Sequence, residues 1–154
     1  MKNNLSLKSI FDVLAAISIL FSIIWSVQTQ KNQDEWQKKV ETLHSLETRD
    51  RSHLGAINKR INTINDKDSL VNFIISDTSL HNKVKKQLNI FEDISIGYII
   101  EIYDKDVIKK FMGNSFIKFN KKLQPYILYT RKKNMNPDLF IEYDECVQAL
   151  IKIK

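Results

Sequence analysis

One apolar segment near the N-terminus constrains this chain more than any other feature. Residues 10–27 read IFDVLAAISILFSIIWSV. As an α-helix, a segment of about 18 residues extends roughly 27 Å, close to the thickness of the hydrocarbon core of a bilayer. The flank SVQTQKNQ lacks the small-residue cleavage site of a secretory signal peptide. Residues 1–30 are therefore predicted to contain an uncleaved transmembrane helix.

One face of this helix is small and polar. Positions counted from Asp12 in alternating steps of three and four residues lie on one face of a helix. On this face, which we call the polar seam, lie Asp12, Ala15, Ile19, Ser22, Ser26 and Thr29. Small hydroxyl residues let membrane helices approach closely and bond across the contact. We expect the helices to associate into a homo-oligomer, with a tetramer favoured, and to line a pore narrowed at Ile19 if they spread apart. Alternatively, each serine bonds to a carbonyl of its own helix, and nothing assembles.

The same count continues into residues 31–68, where the face becomes large and apolar at Trp36, Val40 and Leu43. This inversion predicts a coiled-coil-like connecting region. The register then meets Glu47 and Asp50, which would repel each other across a buried helix contact. A break before a helix beginning near residue 52 is therefore favoured over a continuous helix.

Residues 69–154 have the composition of a small helical domain, and the fold class predicted for the chain is all-α. The most strongly patterned helix carries an apolar stripe of Val84, Leu88, Phe91, Ile94 and Tyr98. A helix cap is expected at 77–79, and Pro125 should kink or end its helix. The predicted elements are helices at 70–76, 80–103, 104–113 and from 114, a basic loop at 131–138, and a last helix from 137 to about 153.

Positive charge is concentrated in one segment. The formal net charge is +6, and residues 105–133 hold nine cations and a single anion. Aromatic residues are interleaved with these cations, a pattern typical of proteins that bind phosphates and unpaired bases. Short single-stranded DNA or another polyanion is the predicted partner, with a membrane lipid surface or plain solubility as alternatives. The predicted ligand-binding residues are Lys109, Lys110, Lys118, Lys121, Lys122, Arg131, Lys132 and Lys133.

No catalytic or metal-binding pattern is found in the sequence. The histidines are scattered, and the carboxylates at 92, 93, 101 and 104 lack a neighbouring histidine, so structural ion pairs are the favoured interpretation. Cys146 is the only cysteine, which excludes an internal disulfide and favours a packed helix residue in a reducing compartment. We expect no enzyme activity, cofactor or metal.

A pattern of polar, aromatic and small residues runs through the second half of the chain. Its members are Leu88, Asn89, Phe91, Glu92, Gly97, Tyr103, Asp104, Phe111, Pro125, Tyr126, Ile127 and Arg131. By this pattern, about residues 85–150 resemble a family of small uncharacterised bacterial and phage proteins. Many members of that family carry one N-terminal membrane span, and the resemblance implies a fold more clearly than a function.

The layout also resembles the membrane effectors of Hailong-type antiphage systems. That resemblance implies a partner nucleotidyltransferase, which makes short single-stranded DNA, and an oligomeric membrane protein that this ligand holds shut. Loss of the ligand would open the pore and kill the infected cell. The alternative is a passive membrane-tethered adaptor whose basic face docks on lipid or an acidic protein.

The expected location is the bacterial inner membrane. Lysines and arginines are slightly more numerous after the span than before it, which favours a single-pass protein with a cytoplasmic C-terminal domain.

Overall fold

The computed structural model describes the backbone of residues 7–49 and 52–152, and the side chains of residues 11–49 and 53–152. Within those ranges the fold is all-α, as predicted, with six helices and no strands. The chain divides into two compact units, with the boundary after Lys38. The helices are α1 Leu7–Thr48, α2 Ser52–Ile61, α3 Lys67–Ser76, α4 Thr78–Ile99, α5 Lys105–Asn134 and α6 Ile141–Lys152.

In the first unit, the described residues of the apolar segment, 11–27, lie on α1 and are exposed. Large side chains such as Phe21, Ile24 and Trp25 are each more than 60% exposed. A core helix of a soluble protein would bury such side chains. By length and composition, α1 is the one described helix able to cross a membrane, and none of its apolar window is buried.

The core of the second unit is organised around α4, which packs against α2, α3, α5 and α6. The apolar stripe predicted for this helix is confirmed, because each of its five members is at most 3% exposed. Phe91 lies at the centre, with its ring centroid 4.5 Å from that of Phe116 and 5.3 Å from that of Tyr143. This aromatic cluster joins α4, α5 and α6 and fixes their relative positions.

The last turns of α1, after residue 38, belong to the second unit. Leu46 is fully buried there, and Thr42 Oγ1 accepts a 2.9 Å hydrogen bond from the backbone N–H of Asp104. Helix α1 ends at Thr48 and α2 begins at Ser52, as the break in the heptad register predicted. Asp50, which contributed to that prediction, lies outside the described residues.

Aspartates begin three of the helices. Asp66, Asp77 and Asp104 cap α3, α4 and α5, and each side chain accepts a hydrogen bond from a backbone N–H in the first turn. Such caps satisfy N–H groups that lack a partner within the helix. The predicted cap at 77–79 is confirmed, and it is formed by Asp77.

Helix α5 corrects the predicted helix boundary at 113–114 and the predicted basic loop at 131–138, and Pro125 does not end the helix. It runs unbroken for 30 residues through Gly113 and Pro125, and its last four residues lie where a basic loop was predicted. A glycine costs a helix about 1 kcal/mol, which the burial of Met112 and Phe116 on either side outweighs. The helix ends at Asn134, and the C-cap residue Met135 takes a left-handed conformation with φ 50°.

The ends of two other helices also differ from prediction. Helix α4 ends at Ile99 rather than near residue 103, and α6 begins at Ile141 rather than at Pro137. Four residues of turn, 137–140, precede α6, and they include Phe140 with φ 63°. The predicted final residue of that helix, Ile153, lies outside the described residues.

Candidate nucleic-acid interface

Helix α5 carries all eight predicted ligand cations, but it does not present them equally. Consecutive residues on an α-helix point about 100° apart, so each basic doublet is divided between solvent and protein. Lys110, Lys121 and Lys132 are exposed, whereas their neighbours Lys109 and Lys122 are half-buried. Lys110, Lys121 and Lys132 are 11 residues apart, which is close to three full helical turns. They therefore lie on nearly the same face, over roughly 33 Å of helix. Lys118 and Lys133 are exposed as well.

Lys122 is held by intramolecular contacts. Its Nζ donates hydrogen bonds to the carbonyl oxygens of Ile64, at 2.5 Å, and Asn62, at 3.4 Å. Both carbonyls lie just after α2, where a cation is favoured by the helix dipole. The structure therefore gives Lys122 a role in fixing α2 against α5.

Arg131 is likewise committed to the fold. Its guanidinium makes a 2.8 Å ion pair with Asp144 on α6, and its Nε donates a 2.8 Å hydrogen bond to the Leu139 carbonyl. The side chains of Asn120 and Gln124 donate to the other Asp144 oxygen. The network joins α5, the turn before α6, and α6 itself.

A shallow groove lies between α3 and α5, beside the exposed lysines. One depression, of about 620 Å³, is lined by Lys67, Lys132 and Tyr129, among other residues. An adjoining depression of about 380 Å³ is lined by Lys67 and Lys121. Leu128 lies in both depressions and is 57% exposed. We call this surface the α3–α5 groove.

The groove combines the two features that single-stranded nucleic acid requires. Lysines border it on both sides, and the Tyr129 ring offers a surface on which a base can stack. Asp68 also lines it, and this carboxylate places an anionic limit at the α3 edge. Lys67 could not be identified from the sequence, because it lies some 40 residues before the basic segment and only the fold brings the two together.

The polar seam of α1 is exposed along its described length. Ser22 Oγ donates a 2.8 Å hydrogen bond to the Ser18 carbonyl, and Thr29 Oγ1 donates one of 2.9 Å to the Trp25 carbonyl. These bonds within the helix use the hydroxyl protons, while the oxygen lone pairs can still accept a bond from a neighbouring helix.

A family model for a domain of unknown function, DUF4760, matches residues 16–149. The chain belongs to this family. No curated protein matches the chain, and no solved structure matches it. The match agrees with the resemblance to small uncharacterised proteins, and it extends over most of the first unit as well as the second.

Several positions of the resemblance pattern have a clear structural role in this DUF4760 chain. A Cβ atom on Gly97 would overlap the ring of Tyr103, so the glycine creates the space that the tyrosine fills. The Tyr103 hydroxyl is 2.8 Å from Ser45 Oγ and accepts a 3.1 Å hydrogen bond from Arg49. Gly97 and Tyr103 together therefore fix the end of α1 against the corner between α4 and α5.

The carboxylates named from the sequence have structural partners, which confirms part of that interpretation. Asp93 pairs with Arg49 at 3.4 Å, and Glu101 pairs with Lys105 at 2.7 Å. The other two accept hydrogen bonds from backbone N–H groups. Asp104 caps α5, and Glu92 on α4 accepts from the N–H of Tyr143 in the first turn of α6.

Glu92 is the most perturbed acid among the described residues. Its Oε2 accepts a 2.7 Å hydrogen bond from the Tyr143 N–H. Burial and a shared hydrogen bond with Glu142 raise the pKa of Glu92 to about 7. Glu92 therefore keeps its proton to a higher pH than an ordinary carboxyl group does, because burial and the neighbouring carboxylate both disfavour its charged form.

Cys146 is a packed residue of α6, as predicted. It is fully buried, and burial raises the pKa of its thiol to about 11. A thiol in this state is a poor nucleophile at neutral pH.

Proposed function

We propose that this protein is an oligomeric membrane effector of bacterial antiphage defence, in which an oligonucleotide bound to the α3–α5 groove controls a pore formed by the α1 helices. The groove carries the proposal, because it joins lysines from two helices to the half-buried ring of Tyr129 in a chain that also has an exposed apolar helix. The resemblance to Hailong-type effectors supports the same function.

The ligand-binding set is narrower than the basic segment as a whole. Lys122 and Arg131 are bonded within the fold, so the proposed contacts come from the exposed lysines and the α3 edge of the groove. The proposed set is Lys67, Lys110, Lys118, Lys121, Lys132 and Lys133. With four or five phosphates neutralised, the affinity for a single strand should fall with a log–log salt slope of about −3.

Gating requires the ligand to bind the closed and open states with different affinity. We propose that the strand favours the closed state, so that its loss opens the pore. The helices would cross the inner membrane once and assemble through the polar seam, with the second unit in the cytoplasm and a nucleotidyltransferase as the source of the strand.

The first experiment is to purify the full-length protein in detergent and compare its 260/280 nm absorbance ratio before and after nuclease treatment. A nuclease-sensitive excess at 260 nm on the oligomer peak supports a bound oligonucleotide. A clean protein spectrum, together with no binding of added ten-nucleotide strands, contradicts the proposal and favours the tethered adaptor.

A charge-reversal pair then tests the groove itself. Lys121→Glu with Lys132→Glu should abolish strand binding and make expression toxic, because the pore loses its closing ligand. The matched control, Lys59→Glu with Lys152→Glu, makes the same charge change at two exposed positions outside the groove. Ion flux from liposomes that contain each variant separates a pore from an adaptor, since an adaptor gives no flux in either case.

A further inference from the structure

A second cavity lies between the first half of α4 and the end of α5, and we call it the α4–α5 pocket. Its volume is about 180 Å³, and its walls include His81, Tyr126, Tyr129 and Phe140. The Tyr126 hydroxyl is 3.2 Å from His81 Nδ1, and the two rings meet edge to face with centroids 5.8 Å apart. Tyr126 and Phe140 are buried, so they form a fixed aromatic wall.

The rim of this pocket is cationic. Lys85 on α4 and Lys133 on α5 both line it, together with the amide side chains of Asn89 and Asn134. Lys133 Nζ lies 5.8 Å from the centroid of the Tyr129 ring. Within the described part of the chain, no carboxylate lines the pocket. Such a rim favours an anionic group, and its amides can both donate and accept hydrogen bonds.

The size of the pocket limits what can enter it. A dry cavity of about 150 Å³ in another protein accommodates one benzene molecule. A volume of about 180 Å³ therefore suits a single planar ring system and leaves no room for a sugar and phosphate, which would remain at the rim. The aromatic wall can stack on a base, and the amide side chains can form hydrogen bonds with the edge of that base. The cationic rim can bind the phosphate that follows it.

We propose that the α4–α5 pocket takes one unpaired nucleobase, with the adjoining phosphate bound between Lys85 and Lys133. The inference rests on the proposed function. It identifies the place where the protein binds a base of the oligonucleotide rather than its phosphate backbone. Tyr129 lines both this pocket and the α3–α5 groove. A strand that follows the groove can therefore turn one base past Tyr129 into the pocket.

The test compares two fluorescent ten-nucleotide strands, one of mixed sequence and one wholly abasic, on the full-length protein in detergent. The wild type should prefer the strand with bases at least tenfold, or about 1.4 kcal/mol. Asn89→Trp adds a large side chain at the exposed rim of the pocket and should remove that preference while abasic binding persists. Gln148→Trp is the control, since it makes the same addition at an exposed position on α6.

The variant Lys85→Ala should weaken binding of the base-bearing strand more than Lys59→Ala does, because only the first removes a rim cation. Equal binding of the two strands by the wild type would overturn the pocket assignment. So would an Asn89→Trp variant that behaves like Gln148→Trp.

The pocket and the proposed function can fail separately. If no strand binds the wild type, the proposed function fails, and deoxynucleoside 5′-monophosphates then test the pocket alone. Binding of these monophosphates that is lost in Asn89→Trp supports a base site. No binding, or binding that inorganic phosphate matches at equal concentration, overturns it.

Discussion

Replacing Arg131 with alanine should destabilise the second unit, because this residue belongs to the fold. The Arg131 and Asp144 side chains are only 16% and 24% exposed, and the pair is 2.8 Å apart. Removing one partner of a fully buried pair costs 3–5 kcal/mol, and each hydrogen bond to a charged group contributes about 1.5–3 kcal/mol. With partial exposure taken into account, we expect a loss of about 3 kcal/mol.

The assay is thermal unfolding of the full-length protein in detergent, followed by circular dichroism at 222 nm. A loss of about 3 kcal/mol lowers the Tm of a unit of this size by roughly 10 °C. The matched control is Lys132→Ala, which removes the same charge from the next residue, an exposed one. Its Tm should change by less than about 2 °C.

Binding of single-stranded DNA should show the opposite order of effects from the thermal assay, with the larger loss in Lys132→Ala. Lys132→Ala should weaken binding at every temperature, whereas Arg131→Ala should bind normally while it remains folded. A Tm for Arg131→Ala equal to that of Lys132→Ala, together with lost strand binding, would refute the structural role and return Arg131 to the ligand-binding set.

Three further substitutions test other features of the second unit by the same thermal assay. The ordinary pKa of a glutamate, 4.5, is raised to about 7 for Glu92 in the folded protein. Between these values the folded state binds more protons than the unfolded state, so the free energy of unfolding falls as the pH rises. Because the site is half-exposed, we expect a fall of about 1–2 kcal/mol. Glu92→Gln keeps the acceptor for Tyr143 N–H and should remove the fall; an unchanged pH profile would contradict this. Gly97→Ala should cost about 2 kcal/mol by displacing Tyr103, and an unchanged Tm would contradict it. Gly113→Ala should instead stabilise α5 by about 0.5–1 kcal/mol, since its Cβ would meet only ordinary contacts; a lower Tm would count against this reasoning.

The helical elements could be predicted where apolar periodicity and capping residues agree. The stripe on α4 and the cap at Asp77 were both found this way. At Gly113 the local signal was misleading, because a glycine followed by asparagine is typical of a helix end. Phe116 is buried against Phe91 of α4 and Tyr143 of α6. A local pattern does not include these distant partners, and their packing keeps the helix continuous.

The candidate site was only partly accessible from the sequence. The basic segment on α5 stands out by charge, but the opposite wall of the groove comes from Lys67, and the rim of the pocket from Lys85. Lys85 left no comparable signal, because it lies two turns into α4, away from the basic segment.

The basic doublets show why a count of cations overstates the charge that a ligand meets. On a helix packed against a core, adjacent side chains point about 100° apart, so one lysine of a doublet can lie against the protein while its neighbour faces solvent. In α5 the inner member of one doublet became a structural donor, with Lys122 bonded to the carbonyls after α2. In the basic triplet Arg131 took the same inward role against Asp144. The outer members, Lys121 and Lys132, remain free to follow a phosphate backbone. The same segment therefore stabilises the domain with one set of cations and offers a ligand the other, and single substitutions within one doublet can separate the two roles.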